Sequence, residues 1–313
     1  MTIAADWVRP TMPPSGGHTV TQPAMTRIQR ATCAILFAVA ALVGCGGLTR
    51  LAYNNGELLV RTVANDYLDL SPPQRNSLDP LLTRFHHWHR TAELRSYAEL
   101  ADESASRIGR GVRSGDVAWA LHRAREAYLR LVGRAIDDTT AVLPTLNADN
   151  LDALARKLET ATTRLEREYL GGDASRRVTR RVHAVEKLLV EWLGSVTTAQ
   201  HEAVLHYVES APQFGLVRMD ERRRRHHDLV ALLRGHRDAP DLAPRLKRHF
   251  SDESRLQLSM NETAITALVV AIAQTLAPSQ RAHLLGRLER YAADFRRLAA
   301  DEHAERSAAR ATP

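Results

Sequence analysis

Apolar residues recur along most of the chain at the three- and four-residue spacing of a helix face. The clearest series are Leu78, Leu81, Leu82, Phe85 and Trp88; Val117, Leu121, Ala124, Tyr128 and Leu131; and Val178, Val182, Val185, Leu189 and Trp192. An α-helix turns once in about 3.6 residues, so each series lies on one side of a helix and can be buried there. No convincing strand pattern of alternating apolar and polar residues is present. The sequence therefore predicts an all-α fold.

Proline and glycine divide this pattern into about eight or nine helices. Breaks are expected near Pro72-Pro73, Gly109 to Gly115, Pro144, Gly171-Gly172, Pro212, Pro240 to Pro244 and Pro278. The short connections favour a multi-helix bundle in which successive helices pack mostly antiparallel. The most apolar segment, Ala264 to Ala273, is too short to span a membrane and is interpreted as a buried helix.

The N-terminal region has a different pattern. A basic stretch with Arg27 and Arg30 precedes the apolar run Ala31 to Val43, which is shorter than the roughly 20 residues of a spanning helix. This combination predicts a cleaved secretory signal. The tetrapeptide Leu42-Val43-Gly44-Cys45 at its end resembles the lipobox of bacterial lipoproteins. That resemblance implies cleavage between Gly44 and Cys45 and acylation of Cys45; the alternative is a plain secretory signal in which Cys45 is incidental.

The segment boundaries follow from this prediction. Met25 begins a signal of ordinary length, so residues 25–44 are the predicted signal peptide and residues 45–313 the mature helical domain. Residues 1–24, which contain four prolines, either lie upstream of the true start or form a disordered extension. The helical domain could divide near residue 172 or 212.

Cysteine usage narrows the chemistry. The chain has two cysteines, Cys33 inside the apolar run and Cys45 at the cut. The mature chain would keep only Cys45, modified on its sulfur, so an intramolecular disulfide, thiol catalysis and a cysteine zinc site are all excluded. The 269 residues from Cys45 to Pro313 are enough for a stable core without a disulfide.

Charge and export bear on the partners. The chain carries +7, but three arginines and one aspartate precede Cys45, which leaves the mature part at +5. An exported protein is not expected to meet nucleic acid despite this positive charge. The basic run Arg222 to Arg225, which His226 and His227 follow, is interpreted as a solvated helix face; contact with anionic lipid head groups or other envelope polyanions is the alternative. Gly46, rather than Asp, follows Cys45 and favours the outer membrane over the inner membrane by the rule for enteric lipoproteins.

A short pattern recurs at predicted helix starts. An apolar residue stands four positions before a glutamine at Leu70 to Gln74, Val196 to Gln200 and Leu276 to Gln280, and Leu146 to Asn150 is a looser copy. Ser71 and Thr197 can cap their helices while Gln74 and Gln200 reach back to the cap, which predicts capping boxes. The pattern also resembles the Leu-Thr-x-x-Gln motif of Spy-type periplasmic chaperones, which bind unfolded clients.

A broader resemblance covers most of the mature chain. The segments that carry it are Ala52-Tyr53-Asn54-Asn55, Asp66-Tyr67-Leu68-Asp69-Leu70, Trp88-His89-Arg90 with Glu93, Leu94 and Tyr97, and Leu276 to Leu298. They resemble the DUF6279 family of bacterial lipoproteins. The resemblance implies a helical envelope lipoprotein and brings no activity with it.

The candidate chemistry is sparse. His86 and His89 share a helix face and could form half of a metal site, although a polar flank beside a packed Trp88 is the simpler interpretation. The candidate interaction residues of this segment are Trp88, His89, Arg90 and Glu93. No nucleophile elbow, phosphate loop or zincin helix motif is found, so we expect neither an enzyme nor a cofactor.

The segment after the anchor is the other candidate interaction site. Tyr53, Asn54 and Asn55 lie eight to ten residues after Cys45, close to the bilayer. They could brace a neighbouring helix or dock a partner.

Taken together, these features predict a non-enzymatic binding protein of the cell envelope. It would be held at the outer membrane by its N-terminal lipid, face the periplasm and bind an envelope protein. A chaperone-like binder of unfolded envelope proteins is the first alternative, and a metal carrier or enzyme is the second.

Overall fold

The computed structural model describes Tyr53 and residues 55–211, 214–259 and 262–311; the side chains of residues 252–259 and 301–311 are not among those described. The helices are α1 (Gly56–Leu68), α2 (Pro72–Trp88), α3 (Leu94–Gly109), α4 (Ser114–Thr139), α5 (Ala148–Leu170), α6 (Ala174–Leu193), α7 (Thr198–Ser210), α8 (Phe214–His236), α9 (Leu242–Ser259), α10 (Glu262–Gln274) and α11 (Pro278–Ala311). A π-helical turn, His89–Glu93, joins α2 to α3, and a 3-10 turn, Leu143–Thr145, precedes α5. Gly44, Cys45 and Asn54 lie outside the described residues.

The all-α prediction is confirmed, with eleven α-helices in the described ranges rather than eight or nine. One break outside the expected proline and glycine positions is the turn after α6, which the predicted helix start at Thr197 already implies; Gly194 there adopts a left-handed backbone with φ of 82°. A residue with a side chain is strained at such a φ, so glycine ends the helix at low cost. Another is the change from α9 to α10, which no proline or glycine marks in the sequence.

Successive helices pack antiparallel where side-chain contacts fix their direction. On α1 and α2, Arg61 pairs with Asp79 at 2.7 Å, and the Arg75 guanidinium donates to the Asn65 side chain at 3.2 Å. Residue numbers that rise on one helix fall on the other, which is the sign of an antiparallel pair. The most extensive packing, however, joins helices far apart in sequence, namely α3 with α11 and α5 with α8.

The larger core is built by α1, α2, α4, α5, α8 and α9. Its buried side chains are Val63, Tyr67, Leu70, Leu78, Leu82, Ile136, Leu146, Leu151, Leu154, Val230, Leu233, Leu242 and Leu246. A second core lies among α6, α7 and α10, with Val182, Leu193, Val204, Val208 and Ile272. Leu78, Leu82 and Val182 lie on the helix faces that the three- and four-residue spacing of the sequence predicts to be buried.

The longest helix links these two regions. α11 packs along α3 and also contacts α6 and the π turn. Alanines at the contact between α3 and α11, namely Ala98, Ala101 and Ala292, allow the two helices to approach closely. α11 therefore connects the second core to the π turn and to α3, which follows it.

The prediction that Ala264 to Ala273 forms a buried helix is wrong for most of its length. Ile272 is the buried residue of α10, and Val269 is 38% exposed. α10 packs one side against α7 and α4, so its other side is left outside the core. In the described residues no single helix has the length and apolar character of a membrane span; α10 and Pro278–Ala300 meet that test together, with a bend of 119° between them.

Candidate functional site

The π turn at His89–Glu93 brings the sequence-predicted interaction residues together. A π turn inserts one residue into a helix and shifts the side chains that follow it, and such turns often occur at functional sites. Here the turn buries His89, Arg90 and Glu93, although all three are polar. Each of them must therefore find partners inside the protein.

His89 is hydrogen-bonded to Tyr53, which follows the predicted lipidation site. The Tyr53 hydroxyl lies 2.8 Å from His89 Nδ1, and the two rings stack with centroids 5.8 Å apart. Burial, together with the neighbouring His86, lowers the pKa of His89 from 6.5 to about 4. His89 is therefore neutral at pH 7, and its Nδ1 can accept the hydroxyl proton of Tyr53.

His86 also contacts Tyr53, through its ring and through a ring nitrogen. Its ring centroid lies 5.1 Å from that of Tyr53, and its Nε2 is 3.4 Å from the Tyr53 carbonyl oxygen. Tyr97 and Phe295 extend the aromatic cluster, with centroid distances of 5.6 Å from His89 to Tyr97 and 6.0 Å from Tyr97 to Phe295. Burial and the nearby Glu93 carboxylate raise the pKa of Tyr97, which keeps its hydroxyl protonated.

Arg90 and Glu93 fasten two more helices to the same turn. Arg90 Nε donates to the Leu298 carbonyl of α11 at 2.8 Å. The Glu93 carboxylate accepts two hydrogen bonds from Arg130 of α4, at 2.8 and 3.2 Å. Arg130 is exposed at its outer edge, whereas the Glu93 side chain is almost fully enclosed. The π turn is therefore the joint between α2, α3, α4, α11 and Tyr53.

Trp88 packs beside this joint. Its ring lies 5.7 Å from that of Phe85, and the Arg134 guanidinium stands 5.6 Å from its centroid. Asn55 precedes α1 and is exposed. The structure thus unites Tyr53, His89, Arg90 and Glu93 in one cluster and leaves Asn55 at its margin.

A metal at His86 and His89 would need a third ligand. Within the described ranges, no group of three His, Cys, Asp or Glu side chains converges in a way that could hold a metal ion. Both histidines instead contact Tyr53 through a ring nitrogen. The position of the two histidines is therefore better explained by their contacts with Tyr53 than by a role as half of a metal site.

The recurrent helix starts form a second set of contacts. At α2, the Ser71 amide donates to Gln74 Oε1 at 2.8 Å, which is the back-bonding half of the predicted capping box. Gln74 Nε2 then donates to Asn150 Oδ1 at 2.8 Å and to the Thr145 carbonyl at 2.7 Å. Asn150 Nδ2 returns hydrogen bonds to the carbonyls of Leu68 and Asp69 at 2.8 and 3.1 Å. We call this the first amide clasp.

The other two helix starts form a second amide clasp. Gln200 and Gln280 donate to each other, with both Nε2 to Oε1 distances at 2.9 Å. The amides of Thr197 and Ala277 donate to Oε1 of Gln200 and Gln280 at 2.9 and 3.0 Å. Gln200 is 0% and Gln280 1% exposed, so the clasp lies entirely inside the protein.

The two clasps share one geometry. Each side-chain amide donates to the backbone carbonyl five residues before its partner: Gln74 to Thr145, Asn150 to Asp69, Gln200 to Thr275 and Gln280 to Ser195. The sequence predicts the capping at Gln74 and Gln200, but it does not indicate how the four copies pair. The spacing from Leu146 to Asn150, which matches that of the other copies, was the available signal for Asn150.

The basic run is not a freely solvated helix face. Arg223 of α8 forms a salt bridge with Glu166 of α5 at 2.7 Å, and His226 Nδ1 lies 3.1 Å from the Thr162 hydroxyl. Burial and nearby arginines lower the pKa of His226 to about 4. The interpretation as a solvated face is wrong for His226, because α5 packs against this side of α8, whereas the Arg223 side chain remains 40% exposed beside its salt bridge.

An open cleft lies between α6 and the start of α7. It has a volume of about 710 Å³ and is lined on its apolar side by Val190 and Val196. His201 Nδ1 stands 2.5 Å from the Glu186 carboxylate at its rim. The His201 side chain is exposed and that of Glu186 is partly buried, and the pair joins the first turn of α7 to α6.

Comparison with known proteins adds one relationship. A family model described as a family of unknown function, DUF6279, matches residues 66–259, which is more than half of the chain. The resemblance seen in Asp66 to Leu70 and around Trp88 falls within this match, whereas Tyr53 and the Leu276 to Leu298 segment lie outside it. Searches among curated proteins and among solved structures find no match.

Proposed function

We propose that this chain, which belongs to the DUF6279 family, is a lipid-anchored accessory protein of the cell envelope that works by binding and not by catalysis. It would be acylated at Cys45, face the periplasm and hold a protein partner close to the membrane. Gly46 after the acylated cysteine favours the outer membrane over the inner membrane.

The observation that carries this proposal is that the candidate polar residues hydrogen-bond to other parts of the same chain. Tyr53, Arg90 and Glu93 make hydrogen bonds to His89, Leu298 and Arg130 within the chain. A catalytic group must face its substrate, whereas these groups hold helices together. The π turn thus supports a rigid body fastened close to its own anchor.

The length of the tether supports a role next to the membrane. Tyr53 is the eighth residue after Cys45, and a fully extended chain of eight residue steps reaches at most about 29 Å. Since Tyr53 is hydrogen-bonded to His89, the π turn is held close to the residue that ends this tether. A partner held on the neighbouring helices would be presented near the bilayer.

Crosslinking in intact envelopes tests the proposal. The native lipoprotein, crosslinked and purified through a C-terminal tag, should recover one partner in fixed proportion. The Cys45→Ala protein, released from the membrane, is the matched control and should lose that partner or most of it. Recovery of a diffuse set of unfolded proteins would contradict the accessory role and favour client binding of the chaperone kind.

A further inference from the structure

The first turn of α1 exposes two adjacent leucines. Leu58 is 58% exposed and Leu59 is 39% exposed. Leu58 is the most exposed large apolar side chain among the described residues. Single exposed leucines are common on protein surfaces, so their meaning depends on where they lie.

These leucines lie next to the predicted anchor. Tyr53 is fixed by its hydrogen bond to His89, and Leu58 follows it by five residues. Gly56, between them, packs beside the His86 ring, so the start of α1 belongs to the same joint. The most exposed leucine of the described chain is therefore in the helical turn closest to the acylated end.

The charges of this turn have partners within the protein. Glu57 is the acidic residue of the first turn, and its carboxylate accepts a hydrogen bond from Thr83 of α2 at 2.9 Å. Arg61 pairs with Glu57 at 3.1 Å and with Asp79 of α2 at 2.7 Å. The outer side of the turn can thus approach an anionic surface without bringing an unpaired carboxylate to it.

We propose that Leu58 and Leu59 insert into the surface of the bilayer that holds Cys45. Apolar side chains at the start of a helix bind the boundary between head groups and acyl chains, and they add to the hold of a covalent lipid. The lipid fixes the distance of the protein from the membrane, and the leucine contact fixes its orientation. The inference rests on the proposed anchoring at Cys45.

A site-specific probe of lipid contact tests this proposal. Leu58→Cys is made in the acylated protein, with Leu188→Cys as the matched control, since Leu188 is a 54% exposed leucine on α6. Cys33 leaves with the signal and Cys45 is acylated, so the new thiol is the reactive one. Each variant receives a bimane label and is reconstituted into vesicles of phosphatidylethanolamine and phosphatidylglycerol.

Quenching by nitroxide-bearing lipid and by aqueous iodide is then compared. Contact with the bilayer predicts that lipid quenching at position 58 exceeds that at position 188 by about threefold or more, with iodide showing the opposite order. Equal quenching at the two positions overturns the inference. So does a label at position 58 that is shielded from both quenchers, because protein would then cover the turn.

Flotation and mass analysis of the same samples separate the two proposals. If the acylated protein floats with the vesicles but the label at position 58 is quenched by iodide as strongly as that at position 188, only the leucine contact is wrong. If the chain carries no lipid on Cys45 and does not float, the anchor fails and the leucine contact fails with it.

Discussion

The side-chain amides of Gln200 and Gln280 hydrogen-bond to each other in both directions, across 80 residues of sequence. Gln200 lies in the first turn of α7 and Gln280 in the first turn of α11, and each also accepts a hydrogen bond from the backbone amide of its own helix cap. The same side chains therefore start two helices and lock their ends together.

Removal of one member of this clasp should destabilise the fold. Gln200→Ala leaves the buried Gln280 amide without its main partner, and an unsatisfied buried group costs about 1–3 kcal/mol. We expect a loss of about 2 kcal/mol in the free energy of unfolding, measured by urea denaturation. Gln274→Ala, at an exposed glutamine of α10, is the control and should change stability by less than about 0.5 kcal/mol.

The double variant Gln200→Ala with Gln280→Ala tests the pairing itself. Residues in one hydrogen-bond network show non-additive effects, so the second substitution should cost about 1 kcal/mol less in the presence of the first. Strict additivity would mean that the two amides act separately.

The first clasp makes a chemical prediction. Asn150→Asp removes the side-chain donor to the Leu68 and Asp69 carbonyls and places a carboxylate in a buried site. The free energy of unfolding at pH 7 should fall by about 2 kcal/mol or more. Asn76→Asp, on the exposed side of α2, is the matched control, and equal stability of the two variants would contradict the clasp.

Two tyrosines should respond in opposite ways to loss of the hydroxyl. Tyr53→Phe removes the hydrogen bond to His89 and should lower the free energy of unfolding by about 1 kcal/mol. The buried Tyr67 hydroxyl has no hydrogen-bond partner among the described residues, so Tyr67→Phe should be neutral or slightly stabilising. Thermal unfolding of both variants beside the wild type measures the contrast. An equal loss of stability in both would contradict a stabilising hydrogen bond between Tyr53 and His89.

His89 predicts a loss of stability in acid. Its pKa is about 4 in the folded protein and 6.5 when unfolded, so the unfolded chain binds more protons between these values. Its contribution is full above pH 6.5, declines as the pH falls towards 4 and is constant below that. From pH 7.5 to pH 5 the loss from this residue should be about 2 kcal/mol.

His89→Gln isolates that share of the acid response. The variant should lose less stability than the wild type over the same pH range, although it starts from a lower value. His226, whose pKa is also lowered to about 4, keeps its own contribution in both proteins. Identical pH slopes for the wild type and His89→Gln would show that His89 does not titrate as described.

The helix faces were predictable because burial follows a local period. Leu78, Leu82 and Val182 occupy the core as their spacing indicates. The capping by Gln74 and Gln200 was predictable for the same reason, since a capping box involves residues three apart.

Features that depend on distant partners were not predictable from the sequence. The pairing of Gln74 with Asn150 joins residues 76 apart, and nothing local to either position specifies it. The π turn also interrupts a regular helical pattern, and its reason is tertiary, because the turn lets Arg90 and Glu93 reach α11 and α4. α10 was assigned to the interior from its apolar composition, but the helices around it cover only one side.

Acylation of Cys45 tests the central claim most directly. The protein is extracted from membranes of cells grown with an alkyne fatty acid, and its N-terminal peptide is identified by mass spectrometry, with Cys45→Ala beside the wild type. The account predicts a wild-type chain that begins at an acylated Cys45, and an unlabelled Cys45→Ala protein that leaves the membrane. A mature peptide that extends upstream of residue 45, or label that persists in Cys45→Ala, would contradict it.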